Sequence, residues 1–250
     1  MESCIKKYTE KHSELMTRWN KRHKKLGYKT FVTDGIMCPQ EWYKQKNKIL
    51  FILKEAYSTG SSDDWSLVDC LNSADGRDGR IWTAIAEWCH AVQNTDADFF
   101  PLFDGWLESP KWDIKKYREK RYELLKKCAV INIKKSNGVN GSDDTDLLCY
   151  VNSDWDLIKA QIDIISPTII VCGNTFHLLR DRKMVEKEER KKIFGVDTSE
   201  VQDKRGCYSI GNMAVITYYH PANQYPSALN YYGIAGMYHN YLKEREDRGL

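Results

Sequence analysis

Four short apolar runs stand out along the chain, and polar residues follow each of them. They cover residues 49–53, 129–133, 168–172 and 213–218. An uninterrupted apolar run of this length is typical of a strand that is buried on both faces of a parallel sheet. A further short strand is predicted at residues 207–210, before the turn residues Gly211 and Asn212.

Stretches with helical periodicity separate these runs. Ser153, Asn174 and Ser227 stand where they can cap helices. The helices are predicted at residues 3–25, 80–92, 113–127 and 153–165, just after 174, and at 227–245. Alternating strands and helices predict the α/β class, with a three-layer α/β/α sandwich around a central, mainly parallel four-stranded sheet.

The chain has 250 residues, which fits one domain. We expect a single domain over residues 1–250, with an N-terminal helical extension to about residue 45. Residues 58–113 form an aromatic-rich insert that holds five of the eight tryptophans: Trp65, Trp82, Trp88, Trp106 and Trp112.

Composition narrows the class of protein further. No apolar run approaches the ~20 residues that a membrane helix needs, and the N-terminus has no apolar signal segment. The eight cysteines include no C-x-x-C pair, so we expect no metal site, and free buried thiols at Cys128 and Cys172. We therefore predict a cytoplasmic, monomeric protein without a membrane partner.

The net charge of +3 is too small to identify a nucleic-acid-binding protein, but basic residues cluster locally. The clusters are Lys21, Arg22, Lys24 and Lys25; Lys115, Lys116, Arg118, Lys120 and Arg121; and Lys134 with Lys135. Such a cluster can neutralise phosphates, although each one alone is also typical of a solvated helix face.

The residues after the four strands are the candidates for chemistry. They include a carboxylate at Glu55, a carboxamide at Asn132, a glycine turn at Gly173 and an imidazole at His220. Because ligand sites in α/β folds form beyond the carboxyl ends of the strands, these groups are expected to meet at one rim.

The same four segments resemble, in order, motifs of a known family. Lys54-Glu55-Ala56-Tyr57-Ser58 stands where one branch has Gly-Glu-Ala-Pro-Gly, and residues 130–134 resemble its Thr-Asn-hydrophobic-Lys segment. Residues 155–179 resemble its helix, proline, strand and glycine segment, and residues 217–222 its closing His-Pro-Ser motif. The family is the uracil-DNA glycosylase superfamily, and the match covers most of residues 49–245.

The chain also departs from that branch. Lys54 replaces a glycine, Tyr57 a proline and Ala222 a serine, and the cysteine pattern of the branch's iron–sulfur cluster is absent. These departures indicate a remodelled pocket and no bound cofactor.

The resemblance implies roles for individual residues. Glu55 and His220 are the implied catalytic pair, the first beside the sugar and the second donating to the base. The implied base-binding residues are Asn132, Tyr57 and Trp65. The implied DNA-binding residues are Lys54, Lys134, Lys135, Gly173, Asn174, Thr175, Asn223 and Tyr225, with Tyr225 as a wedge in the base stack.

The resemblance therefore implies a monofunctional DNA glycosylase that flips a base out of DNA and hydrolyses its N-glycosidic bond. Tyr57 and the insert favour a bulky modified pyrimidine, such as a hydroxymethylated or glucosylated cytosine of phage DNA, over simple uracil. Three alternatives stay open: a non-catalytic nucleic-acid-binding member of the fold, an N-glycosidase for free nucleosides or nucleotides, and a lyase with Lys54 as nucleophile. Neither a dinucleotide-binding nor a P-loop motif is present.

Overall fold

The computed structural model describes residues 1–57, 63–73, 79–106, 114–138, 141–181 and 192–249. The strands are β1 (Val32–Thr33), β2 (Gly35–Ile36), β3 (Ile49–Tyr57), β4 (Trp65–Ser66), β5 (Ala129–Gly138), β6 (Ile169–Gly173), β7 (Gly206–Ile210) and β8 (Met213–Tyr218). The helices are α1 (Glu2–Lys25), α2 (Pro39–Trp42), α3 (Leu67–Asn72), α4 (Arg80–Gln93), α5 (Ile114–Leu125), α6 (Asp144–Ile165), α7 (Phe176–Leu179) and α8 (Ser227–Asp247), with a 3₁₀ turn at Phe103–Trp106. The predicted α/β class is confirmed.

The four apolar runs form neighbouring parallel strands. They lie in the order β5-β3-β6-β8. Within the described residues the sheet has six strands instead of the predicted four, because β2 pairs antiparallel with β5 and β7 antiparallel with β8. Residues 35–36 are too few to show a strand pattern, which is why β2 escaped prediction.

Alternate residues of the central strands belong to two separate hydrophobic cores. Phe51 and Leu53 of β3 pack in one core with α3, α4, α5 and α8. Leu50 and Ile52 pack in the other with α1, α6 and α7. Both faces of β3 are therefore covered by helices, as expected for a strand without polar alternation.

Helix α1 does more than extend the chain at its N-terminus, because it covers the edge strand β2. The hydroxyl group of Tyr8 accepts a hydrogen bond of 3.0 Å from the backbone N–H of Ile36, a group at the sheet edge. Near the end of α1, His23 Nε2 lies 2.6 Å from Asp154 Oδ2 of α6, and both side chains are fully buried. The first 45 residues are thus part of the folded unit.

Two predicted helix starts are wrong. Ser153 lies inside α6, which begins nine residues earlier and is capped by Asp143, whose side chain accepts from the N–H of Thr145. Asn174 has a φ of 57° and precedes the N-cap residue Thr175 of the four-residue helix α7. The first turn of α6 was not predicted, because residues 144–146 are polar and show no apolar periodicity.

No helix in the described part of the chain is long and apolar enough to cross a membrane. All eight cysteines are free thiols, and Cys128 and Cys172 are buried as predicted. Residues 58–62, 74–78 and 107–113 of the predicted insert, which include Ser58 and Trp112, lie outside the described residues.

Candidate active site

The predicted residues gather where the strand connections diverge. Strand β3 has β5 on one side and β6 on the other, and the chain passes from β5 over β3 to reach β6. In open α/β sheets, a crevice forms at such a switch point, beyond the carboxyl ends of the strands. Glu55 lies near that end of β3 and Gly173 at that end of β6.

An irregularity in the pairing of β3 with β5 shapes this crevice. Glu55 pairs with Lys134, but Ala56, the next residue of β3, pairs with Asn137. Two residues of β5, Lys135 and Ser136, are therefore extra. Bulges of this kind occur preferentially beside active sites, because they redirect side chains.

Glu55 is buried and paired at this bulge. Its side chain is only 6% exposed, and its Oε2 lies 3.1 Å from Nζ of Lys134, which also donates to Asp146 at 2.7 Å. Burial disfavours the ammonium form of Lys134, but the hydrogen bonds to Asp146 and Glu55 outweigh it and raise the pKa of Lys134. A Cβ atom at Gly138 would come within 2.6 Å of Glu55 Cγ, so this glycine makes room for the glutamate.

Two buried oxygens at the switch point have no hydrogen-bond donor among the described residues. One is Oε1 of Glu55, and the other is Oδ1 of Asn132, whose residue is 2% exposed. Asn132 pairs with Leu53 and Lys134 with Glu55, so these side chains start from one face of the sheet. A buried acceptor without a donor costs about 1–3 kcal/mol, so each of these two oxygens needs a donor from a water molecule or from a ligand.

The orientation of the Asn132 carboxamide follows from its neighbour Asp34. The carboxylate Oδ2 of Asp34 accepts from the backbone N–H of Asn132 at 2.8 Å and from its Nδ2 at 3.3 Å. Because a carboxylate can only accept, the amide nitrogen faces Asp34, and Oδ1 is the free acceptor.

Lys54 is held by the first turn of α6. Its Nζ donates to Asp144 Oδ1 at 2.7 Å, and Nε2 of His177 lies 2.9 Å from the other oxygen of Asp144. Burial raises the pKa of Asp144, but its hydrogen bonds to Lys54 and His177 outweigh this effect and lower it. An ammonium group held by a carboxylate has no lone pair for nucleophilic attack, which argues against the lyase alternative.

His220 lies in a loop that fixes its tautomer. Its Nδ1 accepts a hydrogen bond of 3.2 Å from the backbone N–H of Ala222, so the ring proton of the neutral imidazole lies on Nε2. Burial and the positive charge of Lys54 lower the pKa of His220, which keeps it neutral. His220 therefore lies close enough to the end of β3 for the charge of Lys54 to affect its pKa.

A close approach of the backbone brings the His220 loop over the switch point. A Cβ atom at Gly173 would lie 2.9 Å from Leu53 Cδ2 and 3.1 Å from Pro221 Cδ. Only a residue without a side chain lets Pro221 pack over the ends of β3 and β6. Glu55 and His220 therefore belong to the same edge of the sheet.

The predicted stacking residues Tyr57 and Trp65 and the predicted wedge Tyr225 differ in exposure. Tyr57 ends β3 and is 62% exposed, and Tyr225 is 46% exposed. Trp65 is half-buried in β4 and donates from Nε1 to Asn137 Oδ1 at 2.7 Å. Tyr57 and Tyr225 are available to a ligand, whereas Trp65 is partly used in packing.

Several predicted DNA contacts do not fit their positions. Lys135 is fully buried and donates to Asp34 Oδ1 at 2.5 Å, because the bulge turns it inward. Burial lowers its pKa despite the attraction of Asp34. The backbone N–H of Asn174 donates to the carbonyl group of Tyr218 at 2.8 Å, and the hydroxyl group of Thr175 donates to that of Ile52 at 2.9 Å. The backbone N–H of Asn174 and the hydroxyl group of Thr175 are thus engaged within the protein.

The side chain of Asn223 forms hydrogen bonds within its own loop and to α8. Its Nδ2 donates to the carbonyl group of His220 at 2.8 Å, and its Oδ1 accepts from Nδ2 of Asn230 in α8 at 3.0 Å. The residue predicted to contact DNA thus links the His220 loop to α8.

Several cations of the basic clusters are engaged within the protein. Arg22 forms two hydrogen bonds to Asp156, Lys24 pairs with Asp64, and Arg121 is buried and donates to the hydroxyl group of Thr83.

In the residues that the structure describes, no three His, Cys, Asp or Glu side chains are placed to hold a metal ion.

A separate cavity of about 670 Å³ runs along β2, between α1 and α3. Tyr8, His12, Asp34 and Asp69 are among the residues that line it. None of the predicted site residues lines it, although Asp34, which orients Asn132, does.

Comparisons of the chain with protein-family models, with curated proteins and with solved structures found no match. The resemblance to the uracil-DNA glycosylase superfamily therefore rests on the quoted motifs alone and stays a prediction.

Proposed function

We propose that the protein is a DNA glycosylase that hydrolyses the N-glycosidic bond of an extruded, modified pyrimidine and leaves an abasic site. The observation that carries this proposal is the pair of buried acceptors, Glu55 Oε1 and Asn132 Oδ1, on one face of the sheet at the switch point. The two helix-covered faces of the sheet also support the three-layer fold that the family resemblance implies.

Glu55 has the position and partners that the hydrolytic step needs. Cleavage of the bond builds positive charge on the sugar, and a carboxylate nearby stabilises it. Oε1 of Glu55 accepts a hydrogen bond from a water molecule and directs its oxygen to C1′ of the sugar. As the C1′–O bond forms and the glycosidic bond breaks, Glu55 accepts the proton of the water. Lys134 holds the other carboxylate oxygen and so fixes the orientation.

His220 acts on the departing base. The bonding electrons move onto the base and place negative charge on its O2 oxygen. The neutral imidazole donates from Nε2, the nitrogen that carries the proton when Nδ1 accepts from Ala222. A donor already aimed at developing charge stabilises the transition state without reorganisation.

Asn132 restricts the class of base. Its amide nitrogen is engaged by Asp34, so only its oxygen is free to read the base. An acceptor pairs with an N–H donor, such as the exocyclic amine of a cytosine. Uracil offers such a donor at N3 as well, so the Asn132 oxygen can pair with either base. The exposed ring of Tyr57 is the feature that favours a bulky modified cytosine, hydroxymethylated or glucosylated as in some phage DNA, and a role in DNA repair or defence against phage.

The proposal is tested by incubating the protein with duplexes that each carry one modified base. Abasic sites are detected by strand cleavage in hot alkali, and free bases by mass spectrometry. We expect release of a modified cytosine. Release of uracil alone would reject the bulky-base hypothesis, and release of no base from any duplex or nucleoside would reject the enzyme.

Two substitutions separate an enzyme from a binding protein. Glu55→Gln and His220→Ala are each expected to slow base release by on the order of 10²–10³-fold while the protein still binds DNA. The matched control is Glu41→Gln, which removes a surface carboxylate that pairs with Lys44. Equal rates for Glu55→Gln and Glu41→Gln would contradict the assigned role of Glu55.

A further inference from the structure

Two arginines and two tyrosines form a continuous strip beside His220. The guanidinium carbon of Arg205 lies 4.0 Å from the ring centre of Tyr219, and the ring of Tyr219 lies 5.0 Å from that of Tyr225, edge to face. Arg80 donates to Gln224 Oε1 at 2.5 Å and to the carbonyl group of Tyr225 at 3.4 Å. We call Arg205, Tyr219, Tyr225 and Arg80 the arginine–tyrosine strip.

The strip is built from separate parts of the chain. Arg205 precedes β7, Arg80 begins α4, and the two tyrosines flank the loop that carries His220. Arg80 and Arg205 are exposed, and so is the ring of Tyr225. No carboxylate in the described ranges pairs with Arg205, whose contact is with the face of Tyr219.

This arrangement has the chemistry of a site for a polynucleotide strand. A guanidinium group that stacks on a ring keeps its N–H donors at its edge, where they suit a phosphate. An exposed aromatic ring takes a base by stacking, whatever its sequence. Alternating cations and rings therefore match the alternating phosphates and bases of a strand, whereas an acidic peptide would leave the exposed ring without a partner.

We propose that the arginine–tyrosine strip binds the single strand that flanks the nucleotide in the site, with a base on Tyr225 and phosphates at Arg205 and Arg80. The choice of partner rests on the proposed function, because Tyr219 directly precedes His220 and so places the strip next to the proposed site. The strip adds Arg205 and Arg80 to the DNA-binding surface; no basic cluster in the sequence included them.

Binding of a fluorescein-labelled oligothymidylate, measured by anisotropy at rising NaCl concentrations, tests the strip without requiring base release. Arg205→Gln is expected to weaken binding several-fold and to reduce the slope of log K against log salt by about 0.7, the value for one phosphate contact on a single strand. Tyr225→Ser is expected to weaken binding on the order of tenfold, and Tyr225→Phe to restore it, since stacking needs only the ring. Arg18→Gln, an exposed arginine on α1, is the matched control.

The possible outcomes distinguish this inference from the glycosylase proposal. A slope that Arg205→Gln and Arg18→Gln change equally, or no binding by the unsubstituted protein, overturns the strip even if bases are released. Loss of slope in Arg205→Gln supports the strip even if no duplex loses a base. Equal binding of a polyglutamate peptide, weakened equally by Arg205→Gln, would overturn the assignment to a polynucleotide.

Discussion

At the scale of single residues, the contact between Glu55 and Lys134 shows how the candidate site holds a carboxylate in a buried position. The two side chains are 6% and 11% exposed, whereas Asp146, the second partner of Lys134, is 45% exposed. Lys134 therefore balances the negative charge of one buried and one exposed carboxylate. Removal of the lysine leaves the buried one without its cation.

Lys134→Met is expected to lower the free energy of unfolding by about 3 kcal/mol, because it leaves Glu55 buried and unpaired. Lys54→Met is the matched control, since Lys54 also pairs with an aspartate in the first turn of α6 but that aspartate is half-exposed. Its expected cost is within about 1 kcal/mol. Urea unfolding of both variants measures the difference, and equal costs would contradict the assigned pairing. Adding Glu55→Gln to Lys134→Met should recover part of the loss.

His12 is expected to make stability depend on pH. Burial lowers its pKa from 6.5 to about 4, so the folded protein keeps this ring neutral while the unfolded chain takes up a proton. Stability should therefore fall as the pH drops from about 6.5 to about 4, by about 3 kcal/mol from this group.

The measurement is the difference in unfolding free energy between the protein and His12→Gln as a function of pH. His239→Gln, a surface replacement, is the control. A difference that stays constant between pH 7 and pH 4 would show that His12 is not held neutral.

The sequence was sufficient to predict that Glu55 and His220 lie near the carboxyl ends of buried strands, because each follows an apolar run. It was insufficient for Lys135 and Thr175. Their burial depends on a bulge with two extra residues in β5 and on a hydrogen bond to Ile52 across strands. Neither feature has a local signature, and a polar residue after a strand is normally read as exposed.

At the scale of elements, α1 and α6 are joined by two contacts between a basic and an acidic side chain, and the two contacts differ in burial. The pair of His23 with Asp154 is fully buried, whereas Arg22 and Asp156 are 35% and 42% exposed. The hydrogen bonds to Arg22 lower the pKa of Asp156. Both pairs link the same two helices, so they allow a matched comparison.

Asp154→Asn is expected to cost about 1–3 kcal/mol of unfolding free energy, because it disturbs a buried hydrogen bond with His23. Asp156→Asn is expected to cost about 0–1 kcal/mol, as exposed pairs do. Denaturant unfolding of the two variants checks the difference. If Asp156→Asn were the more costly, the docking of α1 would depend on its surface contacts instead.

Element boundaries followed the sequence where periodicity was clear, as in α1, α4 and β8. They failed where polar residues continue an element. β5 runs on through Lys134 to Gly138, and α6 begins with three polar residues. These polar stretches are stabilised by partners that are distant in the sequence, such as Asp34 and Lys54. A local sequence pattern carries no information about such partners.

At the scale of the whole molecule, the order β5-β3-β6-β8 positions the candidate site. The alternation of strands and helices predicted a parallel sheet, but the order of strands depends on which faces of the helices fit which neighbours. That order makes the end of β3 a switch point and brings the His220 loop over it. Glu55 and His220, 165 positions apart in the sequence, thereby come to one edge.

The central claim is that Glu55 and His220 act on the same glycosidic bond. A double-mutant cycle of single-turnover base-release rates tests it most directly. It compares the unsubstituted protein, Glu55→Gln, His220→Ala and the double variant on the modified duplex from which the protein releases a base. We expect each single substitution to slow release strongly and the double variant to be little slower than the slower single variant, because groups that serve one transition state are not additive. Fully multiplicative losses, or a single variant that releases the base at the unsubstituted rate, would contradict the claim.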